Sequence, residues 1–508
     1  MQTANRPTYA AAGVLATLIG MAAGHLVAAA TNPSASPVLA VGSTVIDATP
    51  TPIKEWAIAH FGTHDKPILI GSVLLVSLVF AGVCGLLARR DLRAGMGGLL
   101  VLVALAGAAA ITRPAATLPD LIPTLTAAVV GPASLAWLVS RMRPLDVPGS
   151  DGTTTSPSRR GLLISGGVLA VAAAVFGEAG QRLAAYRTRP GQVDLPAAAK
   201  KAGPFPTGLD DKVKGISPFR TPTEEFYRVD TRLALPAIAV DGWSLTIDGD
   251  VDRVVSFSFD DLAAMPLEEH DITLTCVSND VGGQYVGAAR WLGVPLTTLL
   301  DKAGIKNTRA DQILSTDVDG LTISTPLKVA TDGRPTMIAL GMNGGPLPQK
   351  HGFPARMVTP GLYGFVGCTK WVERLTLTTY ADQDAYWTKR GWATEGAIKV
   401  SSRIDTPQPL ATVKTGDTFI GGVAWAQGDG IKKVEVRIDG GPWQQARLGP
   451  SAGVDYWRQW YLPWKPTQGQ HMLAVRATTM QGEVQTAARA APFPDGSSGI
   501  QEIVVTAA

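Results

Sequence analysis

Two segments of the chain concentrate residues able to hold a soft metal and an anion. One is Thr273-Leu-Thr-Cys276-Val-Ser-Asn279-Asp280, an apolar β-type run that ends in a cysteine and then in turn-forming residues. The other is Lys350-His351-Gly-Phe-Pro-Ala-Arg356-Met-Val-Thr-Pro360-Gly361-Leu-Tyr363-Gly364. A thiolate from Cys276 suits a metal whose other ligands come from an organic cofactor. Arg356 suits a phosphate, because its planar fork donates two parallel hydrogen bonds. The Pro360-Gly361 turn and Gly364 let backbone amides approach the same anion. Lys370 adds a point charge. Other uses of these residues stand beside that one. Cys276 is a nucleophile if a base adjoins it, and His351 is the candidate base. Arg356 is otherwise half of a structural ion pair. A site made of protein ligands alone is poorly supported, since the sequence has no CxxC, no HExxH and no His-His-carboxylate spacing. Three cysteines, Cys84, Cys276 and Cys368, do not make a disulfide framework. Cys276 and Cys368 each sit inside a separate motif, which argues against their pairing.

These segments need a compartment and a scaffold. Charged residues are only 17% of the 508, and the first third is nearly all Ala, Leu, Val and Gly. The formal charge of +3, with no basic stripe, does not suggest nucleic acid as a partner, and none is expected. Four stretches are long enough to cross a bilayer: 9–30, 67–88, 92–112 and 121–140. A fifth, 161–177, is shorter. Arg6, Arg89, Arg90, Arg93, Arg141, Arg143, Arg159 and Arg160 flank them on one side; the alternate loops hold Lys54, Lys66 and Arg113. The positive-inside bias then places the N-terminus in the cytoplasm and everything after Gly180 outside it. This predicts a multi-pass protein of the cytoplasmic (inner) membrane, in contact with membrane lipid, with its globular part on the extracytoplasmic side. Ser158-Arg159-Arg160-Gly-Leu-Leu resembles a twin-arginine export signal; the same arginines also serve as plain inside anchors. His25 is the one histidine within a span, so a bis-histidine haem is not expected, and His25 reads as a packed or interhelical hydrogen-bonding residue.

Residues 1–180 are thus expected to be a membrane domain and 181–222 a Pro- and Gly-rich linker. From 223 to 397, short alternating strands (243–250, 271–276, 312–325, 335–341) mix with short helices at 258–265 and 294–304. Without βαβ units this is an α+β domain. From 398 to 508, about seven short strands separated by turns such as Asp439-Gly440-Gly441 predict an immunoglobulin-like β-sandwich.

The motifs in this region resemble one family. Phe226-Tyr227-Arg228, Thr275-Cys276-Val-Ser-Asn279, Ala289-Arg290-Trp291-Leu-Gly-Val-Pro-Leu, the run from Gly341 to Arg356, and Pro360-Gly361-Leu-Tyr363-Gly364 followed by Lys370-Trp371 are similar to the sulfite oxidase family of molybdopterin enzymes. The likeness runs from about Glu224 to Ala508 and suggests a membrane-anchored, actinobacterial-type member. It implies a molybdenum–molybdopterin (Mo-molybdopterin) cofactor, with Cys276 as the metal-ligating, catalytic thiolate. It implies cofactor contacts from Phe226, Tyr227, Arg228, Asn279, His351 and Arg356, from Gly367-Cys368-Thr369-Lys370, and from the neighbourhood of Asp317. It also implies a C-terminal domain that packs behind the cofactor domain and mediates a homodimer.

The sequence departs from the family's pattern where a sulfite-binding arginine would follow the cysteine. Asp280-Val281 stands there, and Leu321 replaces a tyrosine over the metal. Losing a cation from an anion pocket weakens binding of a doubly charged substrate. The expected activity is therefore two-electron oxygen-atom transfer on a small, less charged substrate such as a sulfoxide. The alternatives are a sulfite or other oxyanion oxidase whose cation comes from Arg290 or from the C-terminal domain, and a cofactor-less envelope interaction protein. No haem domain of the cytochrome b5 type precedes the cofactor domain, so electrons are expected to pass to a cytochrome or a quinone-linked carrier.

Overall fold

Proline at the first turn and a run of helix-forming Ala and Leu start the first helix, α1 (Arg6–Ala30), at the head of an apolar bundle. It is followed by α2 (Pro37–Ala48), α3 (Asp65–Arg90), α4 (Leu92–Ile111), α5 (Ile122–Met142) and α6 (Arg159–Arg187). The structure, a computed structural model, describes residues 5–50, 53, 56–57, 60–61, 65–142, 159–187 and 193–508. Lys54, His64, Arg143 and Ser158, and the side chains of Arg159 and Arg160, lie outside the described residues, and the twin-arginine stretch falls there with them. Among the described residues, five helices are long and apolar enough to cross a membrane: Arg6–Ala30, Lys66–Arg90, Leu92–Ile111, Leu118–Met142 and Gly161–Arg187.

Small residues set how these helices meet. A Cβ on Gly13 would lie 2.0 Å from the Ala81 carbonyl oxygen, and one on Gly85 would lie 2.0 Å from that of Tyr9. α1 and α3 therefore cross backbone against backbone, which only glycine permits. Asp91 alone separates α3 from α4, and its carboxylate caps the Arg93 N–H at 2.9 Å. His25 Nδ1 lies 3.1 Å from Ser36 Oγ, in keeping with the expected interhelical bond. α2 was not foreseen, being too short to register as a span; it packs Ala40 on Ala109 and Ala110 of α4. α6 runs ten residues past Gly177 to Arg187, where Arg187 Nη1 donates to the Ala29 and Thr31 carbonyls at the end of α1. One outlying segment belongs to this unit. Asp230–Ala237 groups with Met1–Arg189, and Lys66 Nζ donates to the carbonyls of Asp230 (2.8 Å) and Arg232 (3.0 Å).

Pro190–Val229 and Ile238–Ala508 form the second compact unit, so the expected boundary at 397/398 lies inside one body. Its first part contains β1 (Ser244–Gly249), β2 (Val255–Ser258), β3 (Glu268–Thr275), β4 (Val286–Pro295), β5 (Gln312–Asp317), β6 (Thr322–Pro326), β7 (Met337–Met342), β8 (Gly345–Pro346), β9 (Arg356–Val358) and β10 (Val372–Thr378). One sheet has the order β2-β1-β10-β5-β6; the other runs β3-β4-β7-β8 with β9 also on β7. Only the β1–β10 pair is parallel, so the region is α+β as expected. Ser258 accepts the Asp261 N–H at 3.1 Å in a capping box, which starts the short helix Phe259–Ala263. The core between sheets and helices includes Leu245, Ile247, Leu299, Ile338 and Leu375.

The C-terminal part forms two further sheets around Ile420, Val434, Trp460, Leu473 and Val505. β11 (Ser401–Thr406), β12 (Thr412–Val413), β13 (Thr418–Trp425), β14 (Ile431–Ile438), β15 (Gln444–Gln445), β16 (Arg447–Leu448), β17 (Arg458–Trp464), β18 (Gly469–Thr479) and β19 (Gln501–Ala507) arrange as β11-β13-β17-β16 and β12-β19-β18-β14-β15. The stretch expected to be a linker is packed onto this part. Val213, Ile216 and Phe219 recur every third residue and are all buried, Val213 and Ile216 beside Tyr461 and Phe219 beside Tyr456. Gln459 Oε1 accepts the Leu209 N–H at 2.6 Å. Pro and Gly marked irregular backbone correctly, but the three apolar anchors make it a strap.

One histidine makes the C-terminal sheets sensitive to pH. His471 Nδ1 lies 2.7 Å from Asp439 Oδ2 and Nε2 lies 2.7 Å from the Thr467 carbonyl. Both partners are acceptors, and only the imidazolium has two N–H groups to give them. The Thr467 carbonyl first, then Asp439, hold His471 above its ordinary range, and the His471 bond in turn holds the Asp439 carboxyl below its own. A raised histidine contributes stability below the unfolded value of about 6.5 and loses it as pH rises through the folded one. The melting temperature is expected to fall as pH is raised from about 6 to 8, and His471→Gln should flatten that slope. A slope unchanged in the variant counts against the pair.

Candidate functional site

Thr275 of β3 pairs with Val286 of β4, so Cys276 is the first residue of the ten-residue hairpin loop 276–285. The loop is closed by the Cys276 N–H to the Tyr285 carbonyl (2.9 Å) and by the Tyr285 N–H to Asn279 Oδ1 (2.7 Å). The Asn279 N–H returns to the Cys276 carbonyl at 3.1 Å. Cys276 is half-buried and free, as are Cys84 and Cys368. Burial pushes its thiol up, offset in part by the neighbouring Ser278 and by the charge of Lys370. A sulfur with a serine and a lysine charge beside it that favour its anion is placed to carry negative charge once a metal takes the proton's place.

The second segment meets this loop from β9. Arg356 opens that strand, is 6% exposed, and bridges Lys370 in the backbone ladder. Its Nη1 donates to the His351 carbonyl at 3.0 Å, and its guanidinium lies 5.0 Å from the centre of the Trp291 ring. Nε is buried with no hydrogen-bond partner, and among the described residues no carboxylate pairs with the charge. The ion pair that would have made Arg356 merely structural is thus not formed. Stacking on Trp291 contributes about 0.5–2 kcal/mol, whereas an unpaired buried charge costs several kcal/mol. Such an arginine is built for an anion that arrives with the ligand. Gly352 makes the close packing possible: at φ +113° an added Cβ would lie 3.0 Å from Arg356 Cβ and 3.1 Å from Lys370 Cα.

His351 is buried beside the Phe226 edge at 5.5 Å. Burial first, and the charges of Arg356, Lys350 and Lys370 after it, push its pKa down to about 3. It is therefore neutral, and because Nε2 faces the Thr223 carbonyl at 3.0 Å, the proton sits on Nε2. Nδ1 is left as an acceptor for a ligand N–H. The alternative pairing of Cys276 with His351 as a nucleophile–base dyad is not assembled: among the described residues no hydrogen bond joins the thiol to the imidazole, whose Nε2 faces Thr223.

Tyr227 joins the two segments. Burial, with the Cys276 and Cys368 thiols beside it and Arg356 partly opposing, holds its phenol well above the ordinary range. Its ring stacks on Phe226 at 5.2 Å. Cys368 is buried against Leu274, Trp291 and Phe353, near Cys276 but part of the apolar wall. Gly367, Cys368 and Thr369 follow a short turn, tied back by the Thr359 N–H to the Gly367 carbonyl and the Met357 N–H to the Thr369 carbonyl, both 2.9 Å. The Thr369 hydroxyl is hydrogen-bonded to that of Ser315. Lys370 Nζ donates to the Val229 carbonyl at 3.2 Å, one residue beyond the exposed Arg228.

Tyr227, Cys276, His351, Arg356, Cys368 and Lys370 thus come together. Three expected contacts have other work. Asn279 closes the cysteine loop, Phe226 is packing beneath Tyr227 and His351, and Asp317 Oδ1 accepts the N–H groups of Asp319 (2.9 Å) and Leu321 (3.0 Å). Arg290 cannot supply the missing cation. It is clamped by Asp271, Nε and Nη2 each at 2.8 Å from one carboxylate oxygen, with Nη2 also on the Gly203 carbonyl. Thr223, Ser278 and Trp291 serve the site through a carbonyl, a hydroxyl beside the sulfur and a ring face. Ser278 and Trp291 lay in motifs that could have flagged them; Thr223 did not.

A soft thiolate, an uncompensated guanidinium, a neutral histidine and adjacent lysines fit a metal carried by an anionic pterin. Comparison with known proteins agrees. The oxidoreductase molybdopterin binding domain matches residues 232–387, which are therefore a cofactor domain of that class. Mitochondrial sulfite oxidase of Rattus norvegicus is 31% identical over 270 residues, covering 45% of this chain and 49% of its own. Nitrate reductase [NADH] 2 of Nicotiana tabacum is 28% identical over 306 residues, covering 48% of this chain and 33% of its own. The crystal structure of the sulfane dehydrogenase SoxCD from Paracoccus pantotrophus aligns over 56% of this chain and 80% of that one, with 26% identity and a TM-score of 0.49. The chain spans about half the length of the mammalian sulfite oxidases it matches. Residues 232–387 are a molybdopterin-binding oxidoreductase domain, and the chain is similar there to the sulfite oxidases.

Proposed function

We propose that this chain is a membrane-held oxidoreductase that transfers an oxygen atom to or from a small sulfur-centred substrate on the extracytoplasmic side of the cytoplasmic membrane. The observation that carries the reading is the buried Arg356 guanidinium, with Nε unsatisfied and no carboxylate partner among the described residues, facing Tyr227 together with Cys276. When bound, molybdenum on its pterin supplies two-electron oxygen-atom transfer. The chain's own part is positional and electrostatic. Cys276 holds the metal; Arg356 and Lys370 balance the cofactor's anionic tail; His351 Nδ1 accepts from the pterin; Arg228 and Thr369 line the approach. The C-terminal sheets are read as an immunoglobulin-like sandwich and a site of homodimer contact. A separate cytochrome or quinone-linked carrier exchanges the electrons, supplying two for each sulfoxide reduced or accepting two for each sulfite oxidised.

Two features support an uncharged substrate such as a sulfoxide. Asp280 is exposed on the metal-binding loop where a cation would favour an oxyanion, and the Arg290 charge is already matched by Asp271. A second reading, sulfite or another oxyanion as substrate, is favoured by the sulfite oxidases among the relatives. Steady-state assays of the detergent-purified chain separate the two: an aliphatic sulfoxide with a reduced viologen, against sulfite with ferricyanide. A missing charge contact of 2–3 kcal/mol predicts a kcat/KM for sulfoxide about a hundredfold above that for sulfite. Asp280→Arg should raise the sulfite value about tenfold. Preference for sulfite in the unmodified chain would establish the second reading.

The membrane placement rests on the five apolar helices and the one-sided arginines. A reporter enzyme fused after Ala508 should be active only when exported; activity inside the cytoplasm would overturn the five-span topology.

A further inference from the structure

We infer that the C-terminal sheets are part of the machinery that aims the metal-binding sulfur, with Ser497, Arg403 and Gln427 as positioning residues. Their side chains reach the Cys276 hairpin from outside the cofactor domain. Ser497 Oγ donates to the Asn279 carbonyl at 2.5 Å. Arg403 Nη1 donates to the Gly283 carbonyl at 2.7 Å. Gln427 Nε2 donates to the Thr273 carbonyl at 2.9 Å and to Thr275 Oγ1 at 3.1 Å, on the strand that ends in Cys276. All three are buried, at 8%, 7% and 5% exposure.

The donors are themselves held. Arg403 Nε is on Asp405 Oδ1 at 2.5 Å and its Nη2 is on Ser217 Oγ at 2.7 Å, while the Ser217 N–H returns to Asp405 Oδ2 at 2.8 Å. Thr273 is fixed a second time, accepting the Trp457 N–H on its hydroxyl at 2.9 Å. A domain that merely covered the loop would need apolar contact only. Here donors from β11, from the turn after β13 and from the segment before β19 converge on the carbonyls of one hairpin. Those carbonyls would otherwise face water, and backbone bonded only to water opens readily. The loop's internal bonds, from Tyr285 and Asn279, fix its neck; the outer donors fix its body. A ligand atom displaced by a fraction of an ångström loses much of its catalytic value, so these contacts tune the sulfur without touching it.

The inference rests on Cys276 as the metal ligand, but its test reads the loop directly. In the full chain, hydrogen exchange of amides 276–285 is expected to accelerate about tenfold in Ser497→Ala and in Arg403→Met, and of amides 273–276 in Gln427→Met, each loss equal to one net hydrogen bond. Ser497→Thr, which keeps the hydroxyl, should restore protection. Lys465→Ala, an exposed change elsewhere in the same sheets, should leave it unaltered. In molybdenum-loaded protein the first two variants should also shift the metal's midpoint potential. Unchanged exchange and unchanged potential in all three variants would overturn the inference. If Ser497→Ala also accelerates exchange in β18 and β19, the Thr variant decides: protection regained throughout supports the role, and protection regained only in β18 and β19 removes it. Molybdenum retained in a Cys276→Ser chain would refute the ligand assignment alone and leave the exchange result standing.

Discussion

Cys276→Ser is expected to abolish turnover and strip molybdenum while leaving the fold in place. A hydroxyl is a hard, weakly acidic donor, and at neutral pH it does not replace a thiolate on a high-valent metal. Loss of a supporting partner around a metal already costs about 10–100-fold, so loss of the ligand itself should exceed the upper end of that range. The fold should hardly notice. Cys276 is half-buried at the neck of a hairpin whose closing bonds come from backbone and from Asn279, so the change is worth about 1 kcal/mol or less. Molybdenum per chain, turnover and melting temperature measured on one preparation are sufficient. Turnover in the serine variant near that of the parent would remove the thiolate from the mechanism.

Arg356→Met is expected to act in opposite directions on the loaded and the cofactor-free chain. In the free chain the guanidinium is buried, lacks a carboxylate and has an unsatisfied Nε. Replacing such a charge with an apolar chain of similar length is neutral or stabilising by about 1–4 kcal/mol. In the loaded chain the same change removes a charge-assisted fork and should cost about 2–5 kcal/mol of cofactor affinity, which is some thirtyfold to several thousandfold. The cofactor-free variant should therefore melt no lower than the parent, while its cofactor content collapses. Arg356→Lys should restore charge but not the paired geometry, giving partial retention. A variant that keeps its cofactor would show that the anion is held elsewhere.

The parts of this site that sequence reasoning reached are those whose chemistry resides in a side chain. Cys276, His351, Arg356 and Lys370 announce themselves by type and by unusual neighbours, and the turn at Pro360-Gly361 by its dipeptide. Thr223 could not be reached that way, because it contributes a carbonyl that every residue has. Nor could the contacts of Gln427 and Ser497, which lie 154 and 218 positions from the backbone atoms they hold. The five long apolar helices were legible from composition, since runs of about 20 apolar residues mark them directly. α2 was not, because at 12 residues it is too short to register as a span. The strap at 193–222 was misread for a related reason: three apolar residues spaced by three among prolines and glycines are too few to name a partner.

The excursion Asp230–Ala237 bears on any attempt to liberate the globular part. Cutting the chain ahead of residue 193 would seem to yield a water-soluble enzyme, yet this octapeptide sits beyond the cut while its companions sit before it. Lys66 would be gone from the Asp230 and Arg232 carbonyls, and Gly42 from beneath Leu233. The released fragment would carry a bare, sticky flap only two residues downstream of Arg228, and an expression trial should replace that octapeptide with a short polar turn before concluding that the enzyme needs its anchor.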